Sequence, residues 1–196
     1  MGREIHRCLP KLRRTFITIL NKKVLSEGKY LRFVLASYVD SSGIIRQWEL
    51  FERINCSGIV AIVPVTDDGN VLLIRQFRPP VNGYVIEFPA GLNDKGDTLL
   101  EAAQRELREE TGYVSENMIP LVEGPMSSGA SGEILTVFLA RGLSFKGIGE
   151  RDETEDIEVL SVPLHELDAR LEAFRAEGDY IDLKIYGLIE LAKRRL

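Results

Sequence analysis

The chain has 196 residues, with 25 Lys and Arg against 30 Asp and Glu, and a formal net charge of −5. At 44% hydrophobic and 28% charged, it has the composition of a soluble globular protein of one domain, or one domain with a small appendage. The acidic balance argues against a nucleic-acid partner, and the longest clean apolar run, residues 59–65, is far short of the ~20 residues of a membrane helix.

Residues 1–23 carry seven Lys or Arg and one acid, Glu4, and are expected to form a solvated basic tail in preference to a nucleic-acid arm. Cys8 and Cys56 stand alone without a CxxC, which excludes a disulfide framework or zinc knuckle and suits the reducing cytoplasm. Residues 30–39 and 44–51 are β-rich runs on either side of Asp40-Ser-Ser-Gly43, the pattern of a hairpin. A second hairpin is expected from 57–65 and 70–77 across Thr66-Asp-Asp-Gly69, its Val/Ile-rich first strand buried on both faces. Further strands are expected at 84–88, 133–140 and 157–162.

Three helices follow from the pattern. Residues 98–111 open with Thr98-Leu-Leu-Glu101, a capping box, and stop at Gly112, the usual residue of a left-handed C-terminal cap. Leu100, Ala103 and Leu107 supply its expected buried stripe. Residues 164–177 repeat the logic with Leu164, Leu167, Leu171 and Phe174 before Gly178, and a last helix spans about 182–195. Strands flank the first helix and two helices close the chain. The fold class is therefore α/β or α+β, a mixed β-sheet packed between helices.

On the first helix Glu106, Glu109 and Glu110 stand at i, i+3 and i+4, so one face carries three carboxylates. A pair of like charges near 4 Å repels by up to roughly 4 kcal/mol at an effective dielectric of 20. Arg105 and Arg108 offset part of this; a divalent cation, which takes oxygen ligands, offsets more. The alternative for any Glu-rich helix is a merely solvated acidic face.

The surrounding segment decides between them. Gly91-Leu-Asn-Asp-Lys-Gly-Asp97 followed by Arg105-Glu106-Leu107-Arg108-Glu109-Glu110-Thr111-Gly112-Tyr113 resembles the Nudix box, in which Gly, five residues, Glu and seven residues precede Arg-Glu-aliphatic-any-Glu-Glu-any-Gly-hydrophobic. Only the first Glu departs, being Asp97 here. At ordinary residue usage the fixed positions coincide at roughly 10⁻⁷ per window, too rare for chance. The resemblance implies a Nudix fold with an N-terminal antiparallel strand extension, residues 1–55, ahead of a hydrolase domain at 56–196. It implies Mg²⁺, with Mn²⁺ as substitute, held by Glu106, Glu110 and the carbonyl of Ala90, with Glu109 as a further ligand or catalytic group. Arg105 then ties its neighbouring carboxylates in place. Asp97, one methylene short, is expected to lose a direct salt bridge or ligand role.

Beyond the box, Arg75-Gln-Phe-Arg78-Pro-Pro and Gly83-Tyr-Val-Ile-Glu87-Phe-Pro-Ala-Gly91 resemble the ADP-ribose and nucleotide-sugar pyrophosphatase branch. Arg suits bidentate contact with phosphate, so Arg78 takes the diphosphate in preference to a surface ion pair. Glu87 has two readings, contact with substrate or water, and pairing with Arg78. By the same resemblance Trp48 stacks on the base, Glu49, Arg53 and Leu92 contact substrate, and Gly129 belongs to a loop, Met126-Ser-Ser-Gly129-Ala-Ser-Gly-Glu133, that touches the terminal sugar and phosphate. Strand alternation places Trp48 and Glu49 on opposite faces, so one flank must bend or face a partner subunit of a homodimer with exchanged N-terminal strands. The same resemblance implies that the run Glu150-Arg-Asp-Glu153-Thr-Glu155-Asp156-Ile-Glu158 supplies the catalytic base, as Glu153 or Glu155. Gly147-Ile-Gly149 lacks the third glycine and the context of a dinucleotide site. The expected reaction is hydrolysis of ADP-ribose or a related nucleoside diphosphate sugar to a nucleoside monophosphate and a sugar phosphate. GDP-mannose is the rival substrate, and a non-catalytic nucleotide-sugar sensor the rival class.

Overall fold

The computed structural model describes residues 17–149 and 156–196. Glu153 and Glu155, and the basic residues before Ile17, lie outside the described residues. By its internal contacts the chain divides into two units, one running to Ile54 and including Gly129–Gly132, the other made of Asn55–Ser128 and Glu133–Leu196.

The first unit is an antiparallel sheet of β1 (Thr18–Glu27), β2 (Leu31–Val39) and β3 (Ile45–Arg53), in that order. Asp40 builds the β2–β3 turn, its Oδ1 accepting from the amides of Ser42 at 2.8 Å and Ile44 at 3.0 Å. Gly43 completes it at a φ of 79°, where a β-carbon is disfavoured. The expected basic tail is corrected for the part described: Lys22 and Lys23 belong to β1, and Lys22 Nζ meets Glu52 at 2.5 Å, which Arg32 also meets at 2.7 Å. β1 is exposed along its whole length, so it lacks the polar–apolar alternation that marks a half-buried strand.

The second unit holds two mixed four-stranded sheets. One runs β7 (Ala90–Leu92), β4 (Ile59–Pro64), β9 (Ile134–Phe145), β8 (Tyr113–Pro125), with β4 and β9 parallel. The other runs β10 (Ile157–Pro163), β5 (Asn70–Arg78), β6 (Gly83–Glu87), β11 (Tyr180–Ile181), with β6 and β11 parallel. The second expected hairpin is thus corrected. The turn forms, with Gly69 N donating to Thr66 O, but β4 and β5 share only the bridge Val65–Val71 before entering different sheets. Turn chemistry fixes a reversal of the chain; β4 then finds β7 on one edge and β9 on the other, leaving no edge for β5. β8 was not legible either. It is an edge strand carrying Pro120, with a register shift between Pro120 and Val122 that breaks its alternation.

Helix α1 (Leu99–Thr111) has both halves of its capping box and ends at Gly112 with a φ of 80°. Its buried face is Ala102, Ala103, Glu106, Leu107, Glu110 and Thr111, of which Ala102, Ala103 and Leu107 pack with Val60 and Ile62 of β4 and Phe138 and Ala140 of β9. Leu100 is exposed, contrary to the expected stripe, because two buried glutamates define the inner face and apolar periodicity cannot register them. The other face of β4 packs with Leu73, Ile86 and Leu139 against α2 (Leu167–Ala176) and α3 (Lys184–Lys193). α2 begins three residues later than its sequence pattern, since 164–166 form a turn. Asp179, just past α2, is buried and accepts from Arg75 Nε at 2.8 Å and Nη2 at 2.9 Å, tying the helical layer to β5. No described helix is long and apolar enough to cross a membrane.

Replacing Thr98 with Ala removes the acceptor for the Glu101 amide and one half of the capping box. Urea unfolding is expected to show a loss of about 1 kcal/mol, with the fold retained.

Candidate active site

The strand β7 lies on the acidic face of α1, and each of its residues engages the helix differently. Ala90 donates its amide to Glu110 Oε2 at 2.9 Å. Gly91 admits the Glu106 carboxylate to a position that any β-carbon would overlap. Leu92 offers its carbonyl to Arg105 Nη2 at 3.2 Å. Glu106 is 9% exposed and Glu110 2%, so two carboxylates are drawn out of solvent on one helical face.

Arg105 supplies the countercharge. Its Nη1 donates to Glu106 Oε1 at 2.6 Å and to Glu109 Oε2 at 3.1 Å, and its Nε to Asp97 Oδ2 at 3.3 Å. Burial disfavours the Arg105 charge, yet the neighbouring Glu106, with Asp97 and Glu109, outweighs it and holds the guanidinium above the ordinary arginine range. The expected loss of the Asp97 salt bridge is therefore corrected: Arg105 reaches to the shorter acid, which closes the same ring of charge. Lys95 Nζ stands 3.7 Å from the other oxygen of Glu109.

Every donor named for a metal here is oxygen: the carboxylates of Glu106, Glu109 and Glu110 and the carbonyl of Ala90. That donor set fits a hard divalent cation. Among the described residues, no three Asp, Glu, His or Cys side chains converge into a ready metal cage, and Arg105 sits between Glu106 and Glu109.

Arg78 ends β5 and donates from Nε to Glu87 Oε1 at 2.6 Å, so the structure brings these two candidates together as a pair. Burial pushes the Glu87 carboxyl up; the Arg78 hydrogen bond and charge pull it down, Asp182 adds to the rise and Lys184 opposes it, leaving it above the ordinary glutamate range. Residues 146–149 close over the end of α1. Lys146 N donates to Gly112 O at 2.8 Å, Gly149 N to Arg108 O at 3.2 Å, and a β-carbon on Gly149 would come within 3.1 Å of Glu109 Cα. Gly149, set aside above with Gly147 as no dinucleotide motif, matters here for its missing β-carbon; a small residue directly before the acidic run was the available signal.

In the first unit, Trp48 Nε1 donates to the carbonyl of Gly129 at 3.0 Å, joining two sequence-selected residues that lie 81 positions apart. Phe51 N takes the next carbonyl, that of Ala130, at 2.8 Å. The indole edge is thereby fixed while Trp48 remains 51% exposed. The pairing of β2 with β3 is unbroken through Trp48 and Glu49, with no register shift there. Glu49 and Arg53 stand on the face opposite Trp48.

Fold and acid-faced helix together define a class, the Nudix hydrolases, and the chain belongs to it: the NUDIX domain profile matches residues 57–182. It is 33% identical over 184 residues to the ADP-sugar pyrophosphatase of Mus musculus, an alignment covering 86% of this chain and 84% of that one. The ADP-ribose pyrophosphatase of Bacillus subtilis is 39% identical over 116 residues, 59% of this chain and 63% of that protein. A crystal structure of an ADP compounds hydrolase matches with a TM-score of 0.67 at 26% identity, covering 83% of this chain and 96% of that one. Nudix hydrolases generally need a divalent metal.

Two outcomes follow from this geometry. Gly91→Ala is expected to displace Glu106 and lower kcat/KM by about 100-fold, the cost of misplacing a reacting constellation by roughly 1 Å; steady-state assays with a circular-dichroism control measure it. For Glu87, a carboxyl whose pKa is higher in the folded state stabilises most below its unfolded value, and that contribution is lost as pH rises through the folded one. Glu87→Gln is therefore expected to gain stability relative to wild type as pH rises from the ordinary glutamate range towards neutrality, read from urea midpoints across a pH series.

Proposed function

We propose that the protein hydrolyses the diphosphate of ADP-ribose or a related nucleoside diphosphate sugar, releasing a nucleoside monophosphate and a sugar phosphate. The observation that carries this is the carboxylate face of α1, Glu106, Glu109 and Glu110, locked to β7 by Ala90 and Gly91. In this reading Glu106, Glu110 and the Ala90 carbonyl hold Mg²⁺, replaceable by Mn²⁺, with Glu109 as a further ligand. Held there, such an ion would supply charge neutralisation for the phosphoryl oxygens and a site to order the attacking water, the main needs of a reaction with little covalent help from protein.

The chain's own groups do the rest. Arg78 binds the diphosphate through its guanidinium, and Leu92 and Gly129 line the path of the substrate. Trp48 presents an indole face to the base, its edge held by the Gly129 carbonyl. Glu153 or Glu155 takes a proton from water as its oxygen bonds to phosphorus and the bond to the bridging oxygen breaks. The names of the mouse and Bacillus relatives support an adenine nucleotide sugar as substrate.

By strand alternation Glu49 and Arg53 lie on the face of β3 opposite Trp48, and in this reading they serve the substrate of a partner subunit. The sheet β1–β3 supports that homodimer, since Ile19, Leu20, Ile45 and Phe51 are all exposed on it. A cytoplasmic setting suits the free Cys56 thiol.

A panel of ADP-ribose, other ADP-sugars and GDP-mannose, incubated with Mg²⁺ and read as released monophosphate, tests the activity. Turnover of the ADP-sugars is expected, and Glu110→Gln should lower kcat by about 1,000-fold, several kcal/mol of charge stabilisation. Binding without turnover of any member would replace the enzyme by the sensor. Sedimentation equilibrium should give twice the chain mass; a monomer would remove Glu49 and Arg53 from the site.

A further inference from the structure

On one face of β5 and β6 the register sets Ile74 opposite Glu87, Gln76 opposite Val85, and Arg78 opposite Gly83. Arg78 and Glu87 thus stand at opposite ends of this patch, with the Gln76–Val85 pair between them. They meet by lying along the sheet face, each extended towards the other, and Gln76 beneath them is buried. The acid is the covered member and the base the open one, with side chains 12% and 39% exposed.

Contact is made through Nε of Arg78. A guanidinium carries five N–H donors in a rigid plane, so one held by Nε keeps Nη1 and Nη2 for a second, two-pronged partner. Lysine has no equivalent division of labour. Glu87 is poorly suited to touch the substrate itself, because a buried carboxylate repels a diphosphate. Nor is stability a sufficient reason for it, since a buried ion pair is often matched by apolar residues of similar volume.

We propose that Glu87 is a positioning residue, fixing the plane of Arg78 so that Nη1 and Nη2 form a preset fork for the substrate's diphosphate. The proposal rests on the reading of the protein as a nucleoside diphosphate sugar hydrolase with Arg78 on the diphosphate. An arginine immobilised before binding loses less side-chain entropy when it binds, so the benefit falls on affinity. The other charged groups that act on Glu87 are Asp182, whose amide donates to Ile86 O, and Lys184, which pairs with Asp182. Neither is bonded to Glu87 in place of Arg78.

The test is a double-mutant cycle between Glu87→Ala and Arg78→Ala, with Glu87→Gln added as the shape-conserving variant. KM and kcat are measured on ADP-ribose with Mg²⁺, and binding of inorganic diphosphate is measured by calorimetry. Glu87→Ala is expected to raise KM by about tenfold or more with kcat little changed, a loss of binding shared by ground and transition states. Glu87→Gln, which keeps a neutral acceptor for Nε, should recover part of the loss. In the Arg78→Ala background Glu87→Ala should have no further effect, because residues acting through one another are not additive. Additive losses, or an unchanged KM in Glu87→Ala, overturn the proposal; if Glu87→Ala does not fold, Glu87→Gln in both backgrounds decides by the same criteria. If wild type binds inorganic diphosphate tightly, and both Glu87→Ala and Arg78→Ala lose that affinity, while no nucleotide sugar is turned over, the positioning role stands and the proposed reaction is overturned. A chain that binds neither compound overturns both.

Discussion

The close approach of β7 to the acidic face of α1 is the constraint on which the candidate site depends. Glu106, Glu109 and Glu110 occupy the last turns of the helix, where the backbone dipole already disfavours negative charge. Two of the three are also buried, which disfavours the ionised form again. Nothing in the packing of α1 against β4 requires acids there; leucine or alanine at those positions would serve the core better. The arrangement persists because Arg105 donates to Glu106 and Glu109 while the Ala90 amide donates to Glu110. Gly91, lacking a β-carbon, lets strand and carboxylate come together at all. A local breach of the helix rules, compensated from outside the helix, is the pattern of a functional site.

The rest of the second unit holds that approach rigid. β4 is buried throughout, paired to β7 on one edge and β9 on the other, with α1 on one face and the α2–α3 core on the other. The short strand that carries Ala90 and Gly91 is therefore registered against the most confined strand of the molecule. α1 is fixed at both ends, by its capping box at Thr98 and by Gly112, onto which residues 146–149 dock. Displacing the acid face would require β4 and α1 to part, which explains how a three-residue strand can hold the carboxylates in place.

Legibility in the sequence followed burial and fixed spacing. Thr98, Glu101 and Gly112 announced α1 because their roles are local, and the apolar run of β4 announced a strand covered on both faces. β1 and β8 were invisible for opposite reasons of exposure: β1 has no buried face, and β8 is an edge interrupted at Pro120. The divergence of β4 and β5 into separate sheets depends on partners far along the chain that no turn sequence encodes. At the site, Glu106, Glu109 and Glu110 were selected by spacing, whereas the hydrogen bond from Trp48 to Gly129 spans 81 positions and has no local signature. The reach of Arg105 to Asp97 was misjudged because one methylene is less than the freedom of an arginine side chain.

The two arginines of the site show how one residue type serves two tasks. All three nitrogens of the Arg105 guanidinium are engaged, by Asp97, by Glu106 and Glu109, and by the carbonyl of Leu92. Such a group is spent on holding the carboxylates in place and offers little to a ligand. Arg78 meets one carboxylate through one nitrogen, and its side chain is twice as exposed, 39% against 19%. Both use the planar fork that lysine lacks, yet differently: Arg105 satisfies several acids at once, whereas Arg78, in the proposed role, is bound by one edge and presents the other. The number of acids bonded to each guanidinium, three against one, thus separates the arginine that holds the carboxylates together from the one proposed to meet a phosphate.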